Sequence, residues 1–333
     1  RLAWTYENED LIQRIAENPI DNLPDWEGAE EPWQFLASCD EFYHCVIKRD
    51  KLSTGLPVAI DATCSGLQIL AGLAKDKSTA DLVNVTNSDK PQDAYRVIAD
   101  DSKPNVPHYV RPHWDRKCTK RTVMTIPYNA KPFSNRSYIR DALKDKGIDI
   151  DKDDLTIIVQ AVRDSMHTIV PGPMAVMKWI EDEVSKAIKR GVDEVTWTTP
   201  SGFIVSQKIF KKHWERVTLQ VMGRCNMRVA VGDSEDVDKA RHKAATAPNL
   251  IHSLDASLLC LSVLNFHNPI ALIHDSVLCR ATDMSDLSKI VRETYMHLFA
   301  QQDFLTDFAA AIGAETEPPI IGDLKPESVI EST

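Results

Sequence analysis

A mostly helical α+β fold is what this 333-residue chain predicts, on three observations. Apolar residues recur at helical spacing over long stretches, at 9–17, 32–46, 90–104, 152–190 and 285–299. Runs of strand character are short and come mostly in pairs around turn residues, at 195–205, 207–231 and 270–279, which favours a small antiparallel sheet over a parallel one. A composition of 43% hydrophobic and 26% charged residues is that of an ordinary globular chain, long enough for two domains or one large mixed domain.

In chain order, Trp4 and Tyr6 precede a helix from Glu9 to Glu17 with Leu11, Ile12 and Ile15 on one face, then an acidic, proline-containing loop. Trp33, Phe35, Leu36, Phe42, Tyr43 and Val46 mark a buried helix. The apolar run Leu56 to Ile60 has the length of a buried strand and ends on Asp61; Leu67, Ile69, Leu70 and Leu73 then mark a helix starting at Thr63 or Ser65. A carboxylate at that place either caps the turn or serves as a functional acid. Ala94, Val97 and Ile98 mark a helix that Pro104, Pro107 and Pro112 separate from the next. Two long helical patterns over 152–190 are divided by Pro171-Gly172-Pro173, and VTWTTPSGFIV at 195–205 reads as two strands around a Pro-Ser-Gly turn. Over 207–231, Lys208, Lys211, Lys212, Arg216, Arg224 and Arg228 are interleaved with apolar residues, giving either a solvated hairpin or a basic ribbon suited to a DNA groove. Strands Ile270 to Ile273 and Val277 to Cys279 flank His274-Asp275-Ser276, which puts Asp275 at a hairpin tip. A helix from Ser285 to Phe299 backs this hairpin.

The chain opens on Arg1 without a charged leader and apolar segment, so an internal fragment is expected. Its longest apolar tract, Leu254 to Phe266, is broken by Asp255, Ser257 and Ser262 and falls short of the ~20 residues of a membrane span. A soluble protein without membrane contact is expected. Seven cysteines without a CxxC pair indicate neither a disulfide framework nor a zinc site, and hence a reducing compartment. A net charge of −10 counts against a nucleic-acid partner as a global average. Distribution matters more: basic residues cluster at 111–121 and 208–228, while acids crowd 21–31, 145–154 and 233–238.

The chemistry concentrates in Arg111 to Phe133, RPHWDRKCTKRTVMTIPYNAKPF. Arg116, Lys120, Met124 and Tyr128 recur every four residues, so on a helix they share one face. By spacing alone that face is either solvated surface or a cradle for a triphosphate, Arg offering a planar fork and Lys a point charge. Pro127 must stop or kink the helix just before Tyr128. A strand-end Asp61, a cationic helix ending in a phenol, and a hairpin-tip Asp275 are the parts of a two-metal nucleotidyl transferase, in which carboxylates hold two Mg2+ ions ~3.5–4 Å apart and cations neutralise the triphosphate.

On these motifs the chain resembles the bacteriophage-type single-subunit DNA-directed RNA polymerases, whose relatives include the mitochondrial enzyme. The resemblance is carried by DATCSG at 61–66, RKCTKRTVMTIPY at 116–128, HSLD at 252–255 and HDS at 274–276, with WTTPSGF at 197–203 and GDLKPESVIES at 322–332 as weaker echoes. It implies DNA-templated RNA synthesis from NTPs. By position, Asp61 and Asp275 would be the catalytic metal ligands together with the Ala62 backbone carbonyl; Arg116 and catalytic Lys120 would contact the triphosphate; Tyr128 would sit beside the sugar of the incoming nucleotide, and His252 near the minor-groove side of the nascent pair. The implied fold is the polymerase right hand, a palm with a small antiparallel sheet (1–89 and 252–333) and an inserted helical fingers subdomain (90–251) containing a promoter-specificity hairpin at about 207–231, the thumb and N-terminal promoter-binding domain lying upstream. The implied partners are template and promoter DNA, RNA product and NTPs; a monomer is expected, in the cytoplasm of a phage-infected bacterial host, with a mitochondrial setting as the alternative.

The chain departs from the family in Asn129, where glycine is usual, in Pro127, and in lacking an aromatic-rich carboxyl end at Thr333. A related family of template-directed DNA polymerases shares the three motifs but typically carries Glu five residues after the first aspartate and Glu after the last. Here those positions hold Gly66 and Ser276, and the small residue leaves room for a ribose 2′-hydroxyl. An inactive nucleic-acid-binding remnant is the reading from another class; both aspartates and both cations speak against it.

Overall fold

The computed structural model describes residues 7–220, 223–301, 303–320 and 322–331. Trp4, Tyr6, residues 221–222 of the basic hairpin and Ser332 lie outside them. The helices are α1 (Glu9–Glu17), α2 (Leu23–Trp26), α3 (Pro32–Phe42), α4 (Ser65–Ala74), α5 (Lys77–Leu82), α6 (Ala94–Ser102), α7 (Arg116–Thr125), α8 (Pro132–Lys144), α9 (Lys152–Ile169), α10 (Pro171–Lys189), α11 (Lys239–Leu264), α12 (Met284–Gln301) and α13 (Phe304–Ile312). The strands are β1 (Pro57–Ile60), β2 (Val195–Thr198), β3 (Ile204–Gln207), β4 (Phe210–Leu219), β5 (Cys225–Val237), β6 (Ile270–Ile273) and β7 (Ser276–Arg280). Among the described residues all strand pairing is antiparallel, in one three-stranded sheet and two hairpins, so the fold is a mostly helical α+β one.

Packing divides the chain into two compact units, 1–61 with 267–287, and 62–266 with 288–333. In the larger unit α4 and α11 share one core with the helices between them. The smaller unit has a helical core of Ile12, Ile15, Trp26 and Cys39. Its sheet runs β1-β7-β6, with Ile60 opposite Val277 and Ile273 opposite Ser276. The buried strand expected at Leu56–Ile60 is not buried: Val58 is 41% exposed. β1 is an edge strand, and burial alternates instead along the central strand, at Val277 and Cys279. An apolar run signals a strand, but its depth depends on what covers its faces.

The larger unit is built around α4, whose residues from Ser65 to Gly72 are buried except for Gln68, packed in one core with Val176 and Ile180 of α10 and Leu250, Ile251 and Leu254 of α11. By length and composition α11 matches a membrane span, yet half of its most apolar window is buried inside the protein, as in a core helix. Glu183 of α10 fastens the C-terminal segment to this core: it accepts 2.7 Å hydrogen bonds from Lys186 Nζ, the Glu315 N–H and the Thr316 hydroxyl. Burial alone would raise its pKa, but these donors outweigh burial and hold it at about 2, against an ordinary value of 4.5. A carboxylate depressed in the folded state contributes stability above its unfolded pKa and loses it as pH falls through the folded one. The stability advantage of the parent over Glu183→Gln, measured by urea unfolding, should therefore be full at pH 6 and shrink steadily as pH falls from about 4.5 towards 2.

Candidate active site

The residues singled out by the sequence fall in two groups, one in each unit. In the smaller unit, Asp61 follows β1 directly and Asp275 closes the two-residue turn between β6 and β7. His274, the other turn residue, has φ +57°, a left-handed conformation that His tolerates better than most side chains. With Ile60 opposite Val277, Asp61 and Ser276 are the next residues along the two strands, and the Ser276 hydroxyl donates to Asp61 Oδ1 at 3.0 Å. Asp275 Oδ1 lies 3.1 Å from His274 Nδ1. The register thus brings the ends that carry both acids together. Their hard, anionic oxygens fit Mg2+, and among the described residues no group of three or more His, Cys, Asp or Glu offers a metal a fuller set.

In the larger unit, α7 begins at Arg116 with Asp115 as its cap, the carboxylate accepting the Lys117 N–H at 3.0 Å. It buries Cys118, Thr119, Thr122 and Val123 and exposes Arg116, Lys120 and Met124, the face the spacing predicts. The helix ends at Thr125, ahead of Pro127, so Tyr128 sits in the turn that follows. Arg116 is held from behind: its Nε donates to Asp93 at 2.6 Å and its guanidinium carbon lies 5.2 Å from the centre of the Tyr95 ring. Among the described residues its terminal nitrogens have no hydrogen bond, and Lys120 has neither a hydrogen bond nor an ion pair. Such a pair can take anionic oxygens without breaking an existing bond.

Tyr128 stacks on His252 of α11, with ring centroids 4.3 Å apart and planes 11° from parallel, and its hydroxyl lies 3.1 Å from Ser65 Oγ. Sequence reasoning missed the helix that carries His252 because Pro248 interrupts its pattern. It also read Gly66 as open room. A Cβ at Gly66 would instead lie 2.9 Å from Pro127 Cβ and 3.1 Å from both Tyr128 Cζ and its hydroxyl, so the space is taken by the tyrosine itself.

The basic hairpin runs over 210–237, not 207–231, because Gln207 closes the preceding hairpin and β5 continues to Val237. At its base Lys211 and Lys212 pair with Asp236 and Asp233 at 3.4 and 2.5 Å. Nearer the tip Arg216 stands directly opposite Arg228, whose guanidinium carbon lies 5.7 Å from the Trp214 ring centre. Val217 opposite Met227 and Val229 opposite Glu215 lie on the other face of the ribbon. Like charges directly opposite on a strand pair are destabilising, so the face that carries Arg216 and Arg228 suits an anionic partner.

A family model for DNA-dependent RNA polymerase matches residues 1–325. The chain belongs to the phage-type DNA-dependent RNA polymerase family. It is 31% identical over 369 aligned positions to DNA-directed RNA polymerase 3, chloroplastic, of Nicotiana sylvestris, a match covering 100% of this chain and 36% of that enzyme. It is 30% identical to the mitochondrial DNA-directed RNA polymerase of Mus musculus, over 90% of this chain and 26% of that protein, and 25% identical to the polymerase of Enterobacteria phage K11, over 100% of this chain and 44% of that one. Among these polymerases, then, the chain spans less than half the length of the relatives it matches. Their names place them in chloroplast, mitochondrion and phage.

Gly66 gives the Tyr128 turn its first test. Gly66→Ala should push Tyr128 and Pro127 outward, because the added Cβ cannot fit at 2.9 Å. Overpacking of this kind costs ~1–3 kcal/mol, so a lowered midpoint in urea unfolding together with loss of the Tyr128–His252 stack in a crystal structure is expected. A variant with parental stability and an unmoved Tyr128 would contradict the close approach.

Proposed function

We propose that this chain is the catalytic part of a DNA-directed RNA polymerase that joins NTPs on a DNA template, with palm segments 1–89 and 252–333 and fingers 90–251. The observation that carries this reading is the β1–β7 register, which sets Asp61 and Asp275 on neighbouring strand ends. Asp61 and Asp275, with the Ala62 backbone carbonyl, would hold two Mg2+ ions. When bound, these supply Lewis-acid stabilisation of charge on the attacking and leaving oxygens.

The chain's own residues then bind and orient. Arg116, fixed by Asp93 and Tyr95, would turn its terminal nitrogens to triphosphate oxygens, and catalytic Lys120 would neutralise charge as it grows on the departing pyrophosphate. Tyr128, braced by Ser65 and His252, would meet the ribose. Rejection of a deoxyribose at such a site comes from a polar group left unpaired where the 2′-hydroxyl is missing. Promoter and template DNA, RNA product and NTPs are the partners of this reading, with the protein acting as a monomer. The setting of this reading is the cytoplasm of a phage-infected bacterial host, with a mitochondrial setting as the alternative.

Primer extension on a DNA template by the full-length protein, comparing NTPs with dNTPs under Mg2+, is the direct test. Extension with dNTPs in preference would make it a DNA polymerase, and no extension with either an inactive nucleic-acid-binding protein. Asp61→Asn and Asp275→Asn keep shape and remove charge, so each should lower the rate by roughly a thousandfold, equivalent to ~4 kcal/mol. Retention of more than a tenth of the activity by either variant would sink the assignment of that residue.

The hairpin gives a separate test. Replacing Arg216 and Arg228 with Ala should cut promoter-dependent initiation and spare extension of a preformed primer. Each lost phosphate contact should also flatten the dependence of log affinity on log salt by about 0.9. Relief of the like-charge pair should leave the unfolding midpoint unchanged or higher; equal loss in both assays would point to general phosphate binding instead.

A further inference from the structure

Pro248 lies inside α11, where it has no N–H to return to the carbonyl four residues earlier, that of Ala244. Asn129, from the turn after α7, donates its Nδ2–H to that same carbonyl at 2.8 Å. The amide's orientation is fixed from its other side, since Lys131 Nζ donates to Asn129 Oδ1 and also pairs with Glu181 at 3.2 Å. Asn129 has φ +61°, a left-handed conformation that Asn enters more readily than most residues. Its neighbour Tyr128 stacks on His252, one helical turn beyond Pro248 on the same helix α11.

We infer that Asn129 is a positioning residue: by bonding the carbonyl that Pro248 leaves without its helical donor, it ties the Tyr128 turn to α11 and sets Tyr128 against His252. The helix interruption and the side-chain amide are two halves of one tether. A glycine here would adopt the same backbone but could not donate. Asn129 therefore does not reach towards the sugar; it acts on sugar choice through Tyr128, a consequence that rests on the RNA-synthesis reading above.

The test uses the full-length protein with 13C-labelled histidine, the His252 signal being assigned by its loss in His252→Gln. A ring proton held over an aromatic face resonates upfield of its solvent position. Asn129→Asp tolerates the left-handed backbone but has no donor at neutral pH, and Asn129→Gly keeps the backbone and removes the side chain. Both should move the His252 ring signals downfield and narrow the NTP/dNTP preference by roughly two- to tenfold, the range of one neutral hydrogen bond. Pro248→Ala supplies a competing backbone N–H, so it should shift the same signals, and combining it with Asn129→Gly should add little. His252 signals unmoved in Asn129→Asp, or full additivity with Pro248→Ala, would overturn the tether. Moved signals with an unchanged NTP/dNTP preference would overturn its role in sugar choice and leave RNA synthesis standing. Failure of the parent protein to extend a primer would overturn the RNA-synthesis reading and the sugar-choice consequence with it, while the histidine signals would still decide the tether.

Discussion

The antiparallel register of β1 on β7 is the constraint on which the placement of Asp61 and Asp275 depends. It closes a hydrogen bond between Ser276 and Asp61, residues 215 positions apart, and gives Asp275 its place at the turn one residue earlier. Because side chains alternate along a strand, a slip of one residue would turn Asp61 to the other face of the sheet. The buried central strand, with Val277 and Cys279, resists such a slip far more than the exposed edge strand would alone.

The cationic face of α7 is organised differently, by side chains that each do one thing. Asp93 and Tyr95 hold the guanidinium of Arg116 from behind, Thr119 donates to the Tyr95 carbonyl at 2.8 Å to lock α7 on α6, and Gly66 lets Tyr128 close over α4. Burial pushes the Tyr95 phenol pKa well up, so it stays neutral and packs as a ring whose hydroxyl donates to the Thr63 carbonyl at 2.8 Å. Lys120 alone among these positions has no partner among the described residues, so its charge stays open to solvent.

Much of this was legible from spacing. The four-residue repeat from Arg116 to Tyr128, the stop at Pro127, the break at 171 and the His274-Asp275 turn all follow from local backbone chemistry and appear as expected. What stayed hidden depended on partners far along the chain. α11 was obscured by Pro248, whose cost is offset by Asn129 from a different element. The exposure of β1 reflects its edge position, and the neutral base of the basic hairpin reflects acids on the opposite strand that a local count of cations does not weigh.

The clasp on Glu183 has a consequence for how the molecule assembles. Its bond to the Glu315 N–H joins residues 132 positions apart, and the entropy of closing a loop grows with the logarithm of its length. Contacts of that span reward the chain only after the intervening helices are in place. The C-terminal strap is thus expected to dock late in refolding, and hydrogen exchange at Glu315 during refolding, slow to become protected relative to α10, is the observable that reports it. Until the strap docks, the same order leaves Glu183 with Lys186 as its neighbour, so the core stays incompletely fastened until that contact closes.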